Sequence, residues 1–414
     1  MMAVTASSAH VLTEEPTMGA GLGRRQVHAV AACYFVASFA ALGLPPYLTQ
    51  ILPELGDASA RWAGLLYVVP TVFGALGAPL WGRAADRFGR KRLLLRAQLG
   101  LAVSFLLAGW AESFAAFVTA LVLQGVLGGT FAASNGYLAA ALTGSGLSRA
   151  LTLMQGAARA ALVLAPIVVG SLSPWVSPHR QYALLAVLPL AAAAMLAALP
   201  EPTAERPDPT GTPDAADAPQ TSAPLAPLKA LYAFEFAFVF STVISFPYLI
   251  ALVEDRIPGL SPVVSGALFA LPHLCYLLFA LRVHQVVERR PMQGIAAGFG
   301  LVALGLAGHG AADSLAAFTG VRLLLGAGLT LGLVSLSVLA AECAHGRPPG
   351  GMFGTLELVS KGGAVAAGLA AAAGNSLLGL SAPLLTGTAI ALVALAAATL
   401  PALFRRSPRI RWSR

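Results

Sequence analysis

Long uninterrupted runs of apolar residues, separated by short polar or basic turns, are the dominant pattern of this chain. Twelve such runs begin near residues 28, 61, 93, 113, 150, 181, 228, 263, 292, 313, 351 and 378. Most approach the ~20 residues a helix needs to cross a ~30 Å hydrocarbon core. The runs are continuous rather than alternating, which excludes a membrane β-barrel. The pattern predicts an all-α integral membrane protein with twelve transmembrane helices. The first run follows about 23 polar or small residues and continues to Ile51, too long for the apolar part of a cleaved leader.

Composition agrees with this reading. Of 414 residues, 57% are hydrophobic and only 11% charged, against about 25% charged in ordinary soluble domains. The net charge of +8 would fit a nucleic-acid binder if it were clustered on a soluble face. It is not: all but six of the 26 Lys and Arg fall in segments that are cytoplasmic when the N-terminus is inside. Arg61, Arg180 and Arg256 fall on the other side, and Arg159, Arg322 and Lys361 fall within spans. The excess therefore sets orientation and contacts anionic lipid, and no nucleic-acid partner is expected. Cys33, Cys275 and Cys343 lie in or at the ends of spans without paired spacing, and the seven histidines form no ligand cluster. Neither disulfide nor metal is expected.

The spans divide six and six. Residues 200–227 are rich in Pro, Ala, Thr and Asp, a composition that cannot build a core, and read as a disordered cytoplasmic linker. The chain is then a cytoplasmic tail (1–23), a six-helix bundle (24–199), the linker, a second six-helix bundle (228–404) and a basic cytoplasmic tail (405–414). The halves repeat at an offset of 201 to 202 residues. Pro46-Tyr47-Leu48 returns as Pro247-Tyr248-Leu249, and Gly64, Tyr67 and Pro70 are answered by Gly266, Phe269 and Pro272. Parallel repeats of this kind point to two pseudo-symmetric bundles about an axis normal to the membrane.

Between the second and third runs stands Gly82-Arg83-Ala84-Ala85-Asp86-Arg87-Phe88-Gly89-Arg90-Lys91. It resembles the Gly-x-x-x-Asp-Arg-x-Gly-Arg-Lys/Arg loop signature of the major facilitator superfamily. Glu288-Arg289 is its decayed copy in the second half. The resemblance implies two bundles rocking around a central substrate site. It also gives Gly82, Asp86, Arg87, Gly89, Arg90 and Lys91 the part of a latch that closes the cytoplasmic side.

Charges inside spans are costly and mark cavities or partners. Five stand out: Arg159, Glu235, Arg322, Glu357 and Lys361, each near mid-span. Gln155 and Arg159 are four residues apart, as are Glu357 and Lys361, and the two pairs are 202 residues apart. The i,i+4 spacing puts each pair on one helix face. One reading makes Arg159 and Lys361 a cationic cradle for an anionic group; the other neutralises Lys361 with Glu357. Glu235, which aligns with Tyr34 in the first half, and Glu357 are the carboxylates placed to exchange protons. Burial disfavours their ionised form and a nearby cation favours it, so the balance can change with conformation. Gln124, Ser134 and Asn135 on the fourth span either bind substrate or bridge helices.

Two motifs depart from the family's antiporters. Their Arg-x-x-Gln-Gly in the fourth span is here Leu121-Val122-Leu123-Gln124-Gly125, without the arginine. Arg322 on the tenth span is the natural substitute in a proton relay. Ala165-Pro166-Ile167-Val168-Val169-Gly170 is a degraded form of the Gly-Pro-x-x-Gly-Gly signature of exporters. The segments Tyr67–Lys91 and Ala133–Asn135, with the Gln155/Arg159 pair, are similar to exporters of citrate-based carboxylate siderophores. The expectation is a monomeric, proton-driven exporter of a small anion in a bacterial-type inner membrane, with both termini cytoplasmic and no cofactor. The alternatives are broad multidrug efflux and import of a small metabolite. No arrangement of His, Asp or Ser supports an enzyme.

Overall fold

The computed structural model describes residues 23–57, 59–130, 133–134, 137–138, 142, 144–199, 225–344 and 349–406. Most of both predicted tails and of the linker, with Asn135, lies outside the described residues.

Proline decides how the first crossing is built. Helix α1 (Arg24–Gly43) stops at Leu44, one 3-10 turn covers Pro45–Tyr47, and α2 (Leu48–Glu54) completes the span. Pro45 and Pro46 have no N–H to continue the α ladder. The seventh crossing breaks at the equivalent place, between α9 (Leu225–Val243) and α10 (Leu249–Arg256), with Pro247 in the gap. The other crossings of the first half are α3 (Ala63–Phe88), α4 (Arg90–Gly109), the fourth, which α5 (Phe114–Leu127) begins, α6 (Gly144–Leu172), and α7 (Pro178–Leu185) with α8 (Val187–Ala197). Those of the second half are α11 (Pro262–Val287), α12 (Pro291–His309), α13 (Leu315–Ala344), α14 (Pro349–Leu378) and α15 (Ala382–Arg406). This is the twelve-helix architecture read from the hydrophobic runs.

Three boundaries differ from the sequence reading. The basic signature is not a hairpin: Gly82 to Phe88 complete α3, and the turn is made by Gly89 alone, at φ 95°. Only glycine adopts that conformation without strain. Residues 225–227, assigned to the linker, already belong to α9. The last span starts at Ala382 rather than near 378, after a turn at Gly379 with φ 84°.

The repeat extends to the helix caps. Ser113 Oγ accepts from the Ala116 N–H at 3.3 Å, and Ser314 Oγ from the Ala317 N–H at 3.3 Å, each satisfying an orphan donor of the first turn.

We call the side carrying the α3–α4 turn the terminal face and its opposite the far face. At the far face the two bundles touch along two symmetry-related seams. On one, α6 meets α11: a Cβ added to Gly266 would fall 2.3 Å from the Pro166 carbonyl oxygen, and one on Gly170 2.3 Å from that of Pro262. On the other, α3 meets α14, with Gly64 against the backbone of Gly368 and Ala372. Glycine is required where backbones approach this closely. The broken spans supply a tyrosine to each seam. Tyr47 Oη lies 2.6 Å from the Pro166 carbonyl and 3.2 Å from that of Pro262. Tyr248 Oη accepts from the Gly64 N–H at 3.1 Å and donates to the Arg61 carbonyl at 2.9 Å.

The outer surface is apolar. Leu281 is 84% exposed, and Leu377, Leu378, Leu76 and Val393 are also turned outward. Such a surface would aggregate in water and is stable against lipid. Trp110 and Trp175 stand exposed at the far face, where an interfacial aromatic belt belongs.

Candidate substrate cavity

Between the bundles lies a cavity of about 1170 Å³. Its walls run from Leu48, Leu66 and Phe246 at the deep end to Ala85, Arg90 and Ala340 toward the terminal face. The far-face seams close the other end.

The helices that reach this cavity with polar side chains are related in pairs by the repeat. Helices α1 and α9 present Tyr34 and Glu235; α6 and α14 present Gln155 with Arg159 and Glu357 with Lys361. Gln124 on α5 joins them, buried, with its Oε1 unpartnered among the described residues. Seven of the nine substrate and proton candidates thus converge on one space. Asn135 is outside the described residues. Arg322 is described, and it does not line the cavity.

The four charges at mid-depth of the cavity form two partly separated sets. Lys361 Nζ is 3.2 Å from Glu357 Oε1, with both side chains about half exposed to the cavity. Glu235 accepts a hydrogen bond from Ser360 and feels both Glu357 and Arg159. Arg159 lies over the Tyr276 ring at 5.3 Å, and its Nη1 is 3.4 Å from His273 Nδ1 on the opposite bundle. At mid-depth two cations and two carboxylates balance; Arg90 and Arg96, which line the cavity toward the terminal face, add a positive entrance. The cationic cradle expected for a polycarboxylate is therefore offset by the two glutamates. Around the charges the wall is aromatic: Tyr67, Phe246, Phe269 and Tyr276. Mixed charge in an aromatic enclosure suits amphipathic solutes.

Arg322 has a structural explanation. Pro272 lacks an N–H, so the Leu268 carbonyl loses its helical partner, and Arg322 Nε donates to it at 2.8 Å. Nη2 donates to the Phe269 carbonyl at 2.7 Å. The side chain is 0% exposed, wedged between α13 and α11 inside one bundle. Its task in this geometry is to satisfy a proline-broken backbone where water is absent. The sequence reading placed it in the proton relay because charge alone does not reveal which way a residue faces.

Of the signature residues, Lys91 Nζ donates to the Ala197 carbonyl at 2.9 Å and to the Leu199 carbonyl, capping the end of α8 within its own bundle. Arg87 lies over Phe88 at 5.3 Å, and Arg90 lines the cavity toward the terminal face. Gly82 is part of α3 and Gly89 is the turn; of Asp86, only its place in α3 is described. The structure adds residues that sequence reasoning did not assign. His273 and Tyr276 meet Arg159, and Tyr47 and Tyr248 clasp the seams. The tyrosines were signalled by the repeated Pro-Tyr-Leu; His273 had no signal beyond its neighbour Pro272.

The comparisons with known proteins agree with this architecture. A stretch of 146 residues is 34% identical to the multidrug resistance protein MdtG of Dickeya zeae, covering 34% of this chain and 35% of that protein. A stretch of 131 residues is 37% identical to MdtG of Salmonella arizonae, covering 31% and 32%. The chain therefore matches about a third of the length of these relatives. A POT family transporter in complex with 5-aminolevulinic acid superposes with a TM-score of 0.72 at 11% identity, covering 91% of this chain and 96% of that one. The human organic anion transporter MFSD10 does so with 0.66 at 21%, covering 91% and 99%. At these identities the structures establish a shared fold. The profile of the Major Facilitator Superfamily matches residues 30–293, more than half of the sequence. With its twelve spans, its duplicated bundles and its central cavity, the chain belongs to the Major Facilitator Superfamily of membrane transporters.

Proposed function

We propose that this transporter exports small amphipathic molecules in exchange for protons, in a bacterial-type inner membrane with both termini in the cytoplasm. The observation that supports this most is the middle of the cavity: two cations and two carboxylates, formally balanced, within aromatic walls and closed at one face, with Arg90 and Arg96 nearer the open end. Glu235 and Glu357 are the proton-exchanging groups, Arg159 and Lys361 their counter-charges. Gln124, Gln155 and Tyr34 provide neutral hydrogen bonding to the solute. The likeness to proteins named for multidrug resistance favours the same direction of transport.

A second reading, export of a carboxylate metabolite such as a siderophore, is favoured by one observation. Arg159 and Lys361 occupy symmetry-related positions, so a polyanion could bridge them once the glutamates are protonated. Inside-out vesicles separate the two. With an imposed proton gradient, vesicles carrying the protein should accumulate a lipophilic fluorescent amine above empty-vector vesicles, and Glu357→Gln should reduce this to background. Gradient-driven uptake of citrate but not of the amine would replace the first reading with the second. Uptake of neither, or uptake unaffected by both Glu357→Gln and Arg159→Ala, would remove this cavity as the site.

A further inference from the structure

We propose that His273 is a proton-carrying switch between the bundles, in which a second ring proton, on Nδ1, and its contact with Arg159 exclude one another; this rests on the proton-coupled reading above.

His273 sits midway along α11 and is 1% exposed. Its Nδ1 lies 3.4 Å from Nη1 of Arg159, which stands on α6 in the other half of the molecule. A guanidinium has donors only. Nδ1 must therefore be the acceptor, which makes the ring neutral with its proton on Nε2. That second nitrogen is buried without a partner among the described residues. The rest of the ring's surroundings are apolar: Phe246 meets it edge-on at 5.7 Å and Phe269 lies at 6.1 Å.

Among the described residues, the charged groups that act on His273 are cations, Arg159 from α6 and Arg322 from α13. From α9, Glu235 acts on Arg159, as does Tyr276 on the histidine's own helix. Cys275, also on α11, is within reach of Arg322. Among the described residues, no carboxylate is found to offset a charged imidazole directly. A second ring proton would occupy the lone pair that Arg159 uses and would set two cations against each other in a medium that screens poorly. Arg159 would have to leave, and Glu235 gives it somewhere to go.

That departure is coupled to the fold. Arg159 rides on α6, and α6 also forms the far-face seam with α11 through Gly170 and Gly266. Moving α6 off His273 and parting that seam are components of one rigid-body motion. A neutral His273 therefore favours the closed far face and a charged one favours the open far face. The proton is taken onto Nδ1 when the seam is open and released when Arg159 returns.

The test requires no substrate. Glu112 and Asp313 are exposed far-face residues, 201 positions apart, one on each half. Spin labels on Glu112→Cys and Asp313→Cys, in the full-length protein in lipid nanodiscs, report far-face separation by pulsed electron resonance. Between pH 8 and pH 5 the long-distance population should grow. His273→Asn keeps an acceptor but takes up no proton, so it should hold the short distance throughout; His273→Gln should do the same, in case the asparagine variant fails to fold. Arg159→Met should also remove the pH dependence, because the group that the proton displaces is gone. A wild-type pH response preserved in His273→Asn or His273→Gln, or no response in the parent protein, would overturn the switch. Either result leaves the vesicle experiment free to succeed or fail by itself.

Discussion

Arg322 and Arg159 are chemically identical, yet the fold gives them different work. Arg322 is spent on two backbone carbonyls of α11, one of them orphaned by Pro272. Arg159 faces the cavity, with a histidine of the other bundle against it and an aromatic ring under it. Buried carbonyls without donors are costly, so Arg322→Ala should destabilise the protein by about 2 kcal/mol. Pro272→Ala restores an N–H for Leu268, and in the double variant the two effects should couple by about 0.5 kcal/mol or more. Thermal melting of the purified protein measures both. Additive losses would mean that Arg322 does not serve the proline break. Transport that survives in Arg322→Lys with an unchanged pH profile would confirm that this arginine is outside the relay.

The working elements are two broken spans and two glycine seams. Pro46 and Pro247 interrupt the first and seventh crossings, which lets Tyr47 and Tyr248 turn into the opposite bundle. Each hydroxyl contributes about 1 kcal/mol to the closed far face. Tyr47→Phe or Tyr248→Phe should therefore shift the closed-to-open ratio by about fivefold toward open, read as a longer-distance population between the Glu112 and Asp313 labels. Gly266→Leu is a harsher change, because its first side-chain carbon would fall within 2.3 Å of the Pro166 oxygen. It should hold the seam apart and abolish transport while the protein still inserts. In intact cells an impermeant thiol reagent should then reach Thr71→Cys, a cavity residue, from the far side. Failure to label it would mean that the seam accommodates the leucine.

At the scale of the whole molecule, two bundles enclose a chamber whose four mid-depth charges cancel, beneath an entrance lined by Arg90 and Arg96. That balance makes a prediction about selectivity rather than rate. Glu235→Gln with Glu357→Gln leaves Arg159 and Lys361 uncompensated, and solutes should then be preferred as anions. Arg159→Gln with Lys361→Gln should invert the preference toward cations. Counterflow of matched anionic and cationic amphiphiles, which needs no proton gradient, measures the ratio. An unchanged ratio in both double variants would show that charge in the chamber does not select the solute.

Much of this was legible in the chain. Twelve apolar runs, a deficit of charge, arginines gathered on one side and a repeat at 201 to 202 residues determine a duplicated helical membrane protein. Each follows from local rules: the bilayer sets helix length, and buried charge is too costly to occur by accident. The same rules found Arg159, Glu235, Glu357 and Lys361, which line the cavity. What the sequence could not decide is direction and partnership across helices. An i,i+4 pair is visible along one helix, so Glu357–Lys361 was an open reading from the start. The Arg159–His273 contact spans 114 residues and two bundles, and only packing brings it about. Packing likewise turned Arg322 inward to a proline break and placed two carboxylates beside two cations, because a side chain's orientation is fixed by neighbouring helices that no local pattern specifies.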